Sequence, residues 1–266
     1  MPTRCIVSIM TVAVLVCSAA VLAQNQQWNS AGLEGADGRP PSGPAPRRDL
    51  SGMWDAGAAT AAGPGHLGAP FTPWGEQVAQ SYRPGNGPRM ATLADVNDPL
   101  STRGDPAGFP RLVLFELRPF QIVQTPNQVL ILYTFEKRWR VIWTDGRELP
   151  TDPDPRWYGY SVGRWEDDDT FVVETVGTDE RTWLDNAGNP HSADLRVEER
   201  YHRVANDLLE LTVTIDDPTA YTEPWLGRNK IPLRLMPPDT DMMEMIPSAT
   251  EAAEYKRLMG DPSRPR

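Results

Sequence analysis

From Phe120 onward the chain alternates apolar and polar side chains with a period of two, the signature of half-buried strands. Phe120, Ile122 and Gln124 alternate with Gln121, Val123 and Thr125. Thr125-Pro126-Asn127 then turns the chain, and Val129, Ile131, Tyr133 and Phe135 supply the next inward set. Trp139, Val141 and Trp143 alternate with Arg138, Arg140 and Ile142, and an Asp145-Gly146 turn signal ends that strand. The stretch from Trp157 to Thr175 holds two aromatic and β-branched runs around Asp167, Asp168 and Asp169. It reads as a hairpin, because aspartate bonds its own backbone in a tight reversal. A polar loop follows, and then a third hairpin: Leu195 to Val204 outward, Ala205-Asn206-Asp207 as the turn, and Leu208 to Ile215 back with Leu209, Leu211, Val213 and Ile215 buried. Two short apolar pieces, Ala220 to Trp225 and Ile231 to Met236, complete the set.

Strands joined in order by short turns predict an all-β fold. The expected form is an antiparallel meander of about eight strands closing into a lipocalin-like β-barrel, which removes its own edges. A two-sheet β-sandwich is the alternative, since alternation does not say whether the first and last strands pair. The barrel domain is expected over residues 112–240. Before it, residues 49–111 read as an extended arm, anchored at Leu50 and Trp54 and carrying one short helix. Thr72 is that helix's cap, Pro73 takes its first position, Glu76 lies in its first turn, and the helix stops before Pro84. Residues 241–266 form a tail with helical spacing from Thr250 to Leu258.

The first segment changes the address of the protein. Arg4, an apolar run from Ile6 to Ala23 and the small residues before Gln24 predict a cleaved export signal over residues 1–23, and hence a periplasmic or secreted protein. An uncleaved anchor is the rival, but no flank of Lys and Arg follows the run. Residues 24–48, rich in Gly, Pro, Ser and Asn, predict a flexible leader. Both cysteines, Cys5 and Cys17, lie within the signal, so the mature chain would hold no disulfide, thiolate metal site or cysteine nucleophile. The formal charge of −10 becomes one unit more negative when Arg4 is removed, which argues against nucleic acid as a partner. No later run is apolar enough to predict a transmembrane segment.

Candidate chemistry concentrates after the central hairpin. One face of the strand from Leu195 reads Leu195, Val197, Glu199, Tyr201 and Arg203. If that face turns inward, Glu199 is a carboxylate in apolar surroundings, suited to proton transfer or else paired with an arginine. In the preceding loop, His191 is a candidate acid or base with Asp185 as its orienting partner; the alternative is a histidine that only caps the loop. Ser192 has no nucleophile elbow around it. Tyr158 and Tyr160 share one strand face, Trp157 and Trp165 the other, and with Tyr201 these rings are candidates for ligand stacking or for core packing. His66 lies in a Gly/Pro loop and reads as solvated. Asp152, Asp154 and Asp167 to Asp169 lack the spaced loop of a calcium site, and His191 and His202 lack a second ligand pair for zinc, so neither metal nor cofactor is expected.

Seven motifs in fixed order carry a resemblance: Pro106-Ala-Gly-Phe-Pro-Arg111, Gln121-Ile-Val-Gln-Thr-Pro126, Thr144-Asp-Gly-Arg147, Gly159-Tyr-Ser-Val-Gly-Arg-Trp-Glu166, Pro190-His-Ser192, Val197-Glu-Glu-Arg200 and Thr214-Ile-Asp-Asp-Pro218. From about Leu50 to Trp225 the chain resembles a widespread family of exported bacterial hypothetical proteins of unassigned activity. The resemblance implies export and a β domain. Two departures stand out: Trp165-Glu-Asp-Asp-Asp-Thr170 replaces a shorter Trp-Glu-Gly-Asp-Thr turn, and Arg103 and Gly104 stand where members often carry a cysteine. The expected function is binding of a small organic ligand inside the barrel. An acid-base enzyme (lyase, isomerase or hydrolase) using His191 and Glu199 is one alternative, and a surface interaction protein is the other.

Overall fold

Alternation along the strands becomes a closed ring of hydrogen bonds in the computed structural model, which describes residues 41–57, 69–92, 94–114 and 117–245. The expected export signal, most of the expected leader, His66 and the helix expected from Thr250 to Leu258 fall outside the described residues. Nine strands pair in chain order: β1 (Gly52–Asp55), β2 (Phe120–Gln124), β3 (Gln128–Tyr133), β4 (Trp139–Trp143), β5 (Tyr160–Trp165), β6 (Thr170–Val176), β7 (Arg196–Ala205), β8 (Leu208–Asp216) and β9 (Trp225–Leu235). β1 pairs with both β2 and β9, so the barrel is closed and the sandwich is excluded. The segment expected to be an arm thus contributes a strand; of the two short apolar pieces, Ile231 to Leu235 falls on β9 together with Trp225, while Ala220 to Pro224 precedes that strand.

One feature of the expected meander is corrected. Neighbours in a closed ring can alternate in direction all the way round only if their number is even. With nine strands at least one adjacent pair must run parallel, and that pair is β4 with β5, joined only through Ile142↔Ser161 and Trp143↔Val162. A two-residue hairpin cannot connect parallel strands. Residues 144–159 make the crossing, with Pro150, Pro153 and Pro155 stiffening it.

The inward positions of the strands gather into one buried cluster, among them Phe120, Ile122, Val129, Ile131, Ile142, Phe171, Val173, Val197, Leu209, Leu211, Val213 and Ile215. On β4 the arginine face is the buried one: Arg140 and Ile142 point in, while Trp139 is 63% exposed. Among the described residues the segment between β1 and β2 holds three short helices: α1 (Pro73–Ser81), α2 (Pro99–Arg103) and α3 (Arg111–Leu114). α1 starts as expected, with Thr72 Oγ1 accepting from the Gly75 amide at 3.1 Å and Pro73 at its first position. α3 joins the core together with Phe109, and Arg228 of β9 donates to the Val113 and Leu114 carbonyls at 3.1 and 2.8 Å, occupying carbonyls that so short a helix leaves open. None of these helices is long and apolar enough to cross a membrane.

The hairpin turns follow their side chains. Asp167 Oδ1 accepts from the Asp169 and Thr170 amides at 2.8 and 2.6 Å, closing the β5–β6 reversal. The end of the expected leader rests on these turns: the Arg48 amide donates to the Asp168 carbonyl, and Ser42 N to Asp207 Oδ1. Inside the same hairpin Gly163 lets the Phe171 ring lie directly on the backbone, for a Cβ there would stand 2.4 Å from Phe171 Cζ and 2.8 Å from Ile142 Cγ2. Gly163→Ala should therefore overpack the core and lower stability by about 1–3 kcal/mol, read as a lower urea midpoint at unchanged slope.

Candidate functional site

Within the barrel, Glu199 on β7 meets Arg140 across the interior. Arg140 Nη1 donates to Glu199 Oε1 at 3.2 Å, Nη2 donates to Oε2, and the Tyr201 hydroxyl donates to Oε1 at 2.8 Å. Tyr133 OH accepts from Arg140 Nη1 at 3.3 Å, and the Phe109 ring lies under the guanidinium, 4.0 Å from Cζ to centroid. Burial works against charge on Arg140, but Glu199 and the two phenols raise its pKa above the ordinary range. The same burial pushes Tyr133 up to about 12 and Tyr201 well above its usual value, so both phenols keep their protons at neutral pH. The inward face is the one that carries Leu195 and, on β7, Val197, Glu199 and Tyr201, and both Glu199 oxygens accept from the Arg140 guanidinium.

His191 belongs to a different network. Its Nε2 lies 2.9 Å from Thr182 Oγ1 and its Nδ1 3.3 Å from the Ser192 carbonyl, all within a buried loop between β6 and β7. Asp185 does not orient it. The Asp185 oxygens accept from the Ala187 amide, the Asn189 amide and Asn189 Nδ2 at 2.9, 3.1 and 2.7 Å, folding the loop onto itself. Ser192 turns to Asp217, which accepts from its amide and its hydroxyl at 2.6 and 2.8 Å. His191, Asp185 and Glu199 therefore bond to three separate sets of partners, and no shared hydrogen bond brings them together.

The aromatic candidates divide as well. Tyr201 is inside the barrel, Trp165 packs against Phe171 at 5.2 Å between centroids, and Trp157 lies under the Arg181 guanidinium at 4.4 Å. Tyr158 and Tyr160 come together in a groove of about 430 Å³ at the seam between β4 and β5. Only two residue pairs hold this seam, and the crossing segment arches over it before re-entering the sheet at Gly159. Gly159 has φ +63°, and a Cβ there would meet the Val176 carbonyl oxygen at 2.6 Å, so the re-entry requires glycine.

Trp139, Trp143, Tyr158 and Tyr160 supply the aromatic lining. Arg147 stacks on Trp143 at 3.5 Å and is held by Asp145, with Nη2 to Oδ2 at 2.6 Å. Arg156 stacks on Tyr160 at 4.0 Å. The Tyr158 hydroxyl donates to Glu136 Oε2 at 3.1 Å, and burial followed by the Glu136 charge raises its pKa well above the ordinary phenol value. A second groove of about 320 Å³ lies across β6 to β8, lined by Glu174, Arg196, Glu198 and Asp216.

No protein family, curated protein or solved structure matches this chain.

Sequence reasoning missed Trp139, Arg140, Trp143, Arg147 and Arg156 as site residues. The signal available was the Arg-Trp-Arg run at the start of β4, but its meaning depends on which strand lies beside β4 and in which direction.

Two outcomes test the buried networks. Glu199→Ala leaves Arg140 charged and unpaired, and should cost about 3–5 kcal/mol in urea unfolding, whereas the double variant Arg140→Met/Glu199→Leu should recover most of that loss. His191 has its pKa lowered by burial, with the Ser192 carbonyl and nearby carboxylates opposing the shift only in part. Below the ordinary histidine value of 6.5 the unfolded chain binds a proton that the folded chain refuses, so stability falls as pH drops from there toward the folded pKa. The stability difference between wild type and His191→Asn, measured by urea unfolding from pH 7.5 to 5, should shrink as pH falls. A pH-independent difference would remove His191 as the source.

Proposed function

We propose that this chain is an exported β-barrel protein that binds a small organic molecule in the groove between β4 and β5. The observation that carries the reading is the groove itself: about 430 Å³, walled by two tryptophans and two tyrosines and edged by arginines. Ligand sites are commonly concavities of about 300–1,000 Å³ with an apolar, aromatic lining and few polar groups. The place differs from the expected interior one, because Arg140, Glu199, Tyr133, Tyr201 and Phe109 occupy the interior at this level. The aromatic strand face of the central hairpin retains its proposed role, but only through Tyr158 and Tyr160. Export is supported by the apolar run of residues 6–23 and by the family resemblance.

Soaking crystals with a fragment library should place aromatic fragments between Trp139 and Tyr160, and Tyr160→Ala should abolish their density. Fragments found only elsewhere would count against the groove. For export, the periplasmic fraction of an expressing Gram-negative cell should yield a mature chain beginning at Gln24 by N-terminal sequencing; a cytosolic chain retaining Met1 would refute it.

A further inference from the structure

We infer that the groove selects a planar aromatic carboxylate, an inference that rests on its being a small-molecule site. The sign of charge supplies the first reason. The chain carries a formal charge of −10, yet the charged side chains that line the groove on the outer face are Arg147 and Arg156 against the single acid Glu148. A concavity whose charge opposes that of the molecule draws in counter-ions, here anions.

The second reason is which donors are left to use. Arg147 has spent much of its fork on Asp145, with Nε to Oδ1 at 2.9 Å and Nη2 to Oδ2 at 2.6 Å. Arg156 has no carboxylate within ion-pair distance among the described residues, while its Cζ lies over the Tyr160 ring, 4.0 Å from the centroid. A guanidinium stacked face-on keeps its N–H edge free for a planar acceptor in the same plane. Arg140 contributes no donor here, because its side chain is 3% exposed and turned to Glu199 and Tyr133 inside the barrel, on the other face of β4 from Trp139 and Trp143.

The third reason is shape and valence. Four aromatic side chains present flat apolar faces, which favour a ring over a branched aliphatic body. Arg156, a guanidinium with no carboxylate partner among the described residues, suits a single negative charge with two oxygens. A phosphate, with more charge and more acceptors, would leave most of its oxygens unanswered.

The test compares 2-naphthoate with its neutral isostere 2-naphthamide by titration calorimetry, using the mature chain. Naphthoate should bind about tenfold or more tightly than the amide, a difference of about 1.4 kcal/mol, and added salt should narrow the gap. Arg156→Gln, at an exposed position, should bring naphthoate down to the amide's affinity without changing the melting temperature, whereas Arg147→Gln should change it less than about threefold because Asp145 already holds that fork. Equal binding of both probes, or naphthoate binding that ignores Arg156→Gln, would overturn anion selection while leaving the groove a small-molecule site. Failure of both probes to bind at millimolar concentration would overturn the site together with its selectivity.

Discussion

A ring of nine strands cannot alternate in direction throughout, and much of this molecule follows from that arithmetic. The forced parallel neighbours are β4 and β5, held by two residue pairs. Parallel neighbours need a long crossing, and here residues 144–159 provide it, bringing Arg147, Arg156 and Tyr158 over a thin seam in the barrel wall. The groove is the space left between the thin ladder and its crossing. In a barrel of even strand number closed by hairpins alone, no such crossing would be required.

Charge inside the barrel reinforces this arrangement. A charge is costly to bury and persists only when paired with good geometry, and Arg140 with Glu199 meets the condition through two donors on two oxygens, a phenol on each side and an aromatic ring beneath. The pair draws the arginine face of β4 inward and so turns Trp139 and Trp143 outward, where they line the groove. The interior ion pair and the exterior aromatic wall are thus two faces of one strand.

The loop between β6 and β7 shows a different use of polar residues. Asp185, Thr182 and His191 are buried there, beside Asp217 that follows β8, and their bonds go to loop backbone and to each other's neighbours. Tyr221 donates to the Pro190 carbonyl at 2.7 Å, and Trp183 stacks on Tyr82 at 4.5 Å, tying the loop to β9's approach and to the end of α1. A buried loop has backbone groups that must be answered away from water, and these side chains answer them.

Local patterns fixed local structure in this chain. Period-two alternation located β2 to β8, Thr72 and Pro73 started α1, the aspartates closed the central hairpin, and the alternation of β7 grouped Glu199 with Leu195, Val197 and Tyr201 on one face. These are effects of neighbours within a few residues, so they can be read along a line. Strand number, the pairing of β1 with β9 and the parallel seam are not local, because they depend on contacts between residues far apart in the chain. The same holds for the partner of Glu199: the sequence shows a carboxylate in need of an arginine, but many arginines are available, and only the closed ring sets Arg140 opposite it. Tyr158 and Tyr160 were visible as rings on one strand face. That their face looks onto a groove outside the barrel was decided by the direction in which β5 joins β4.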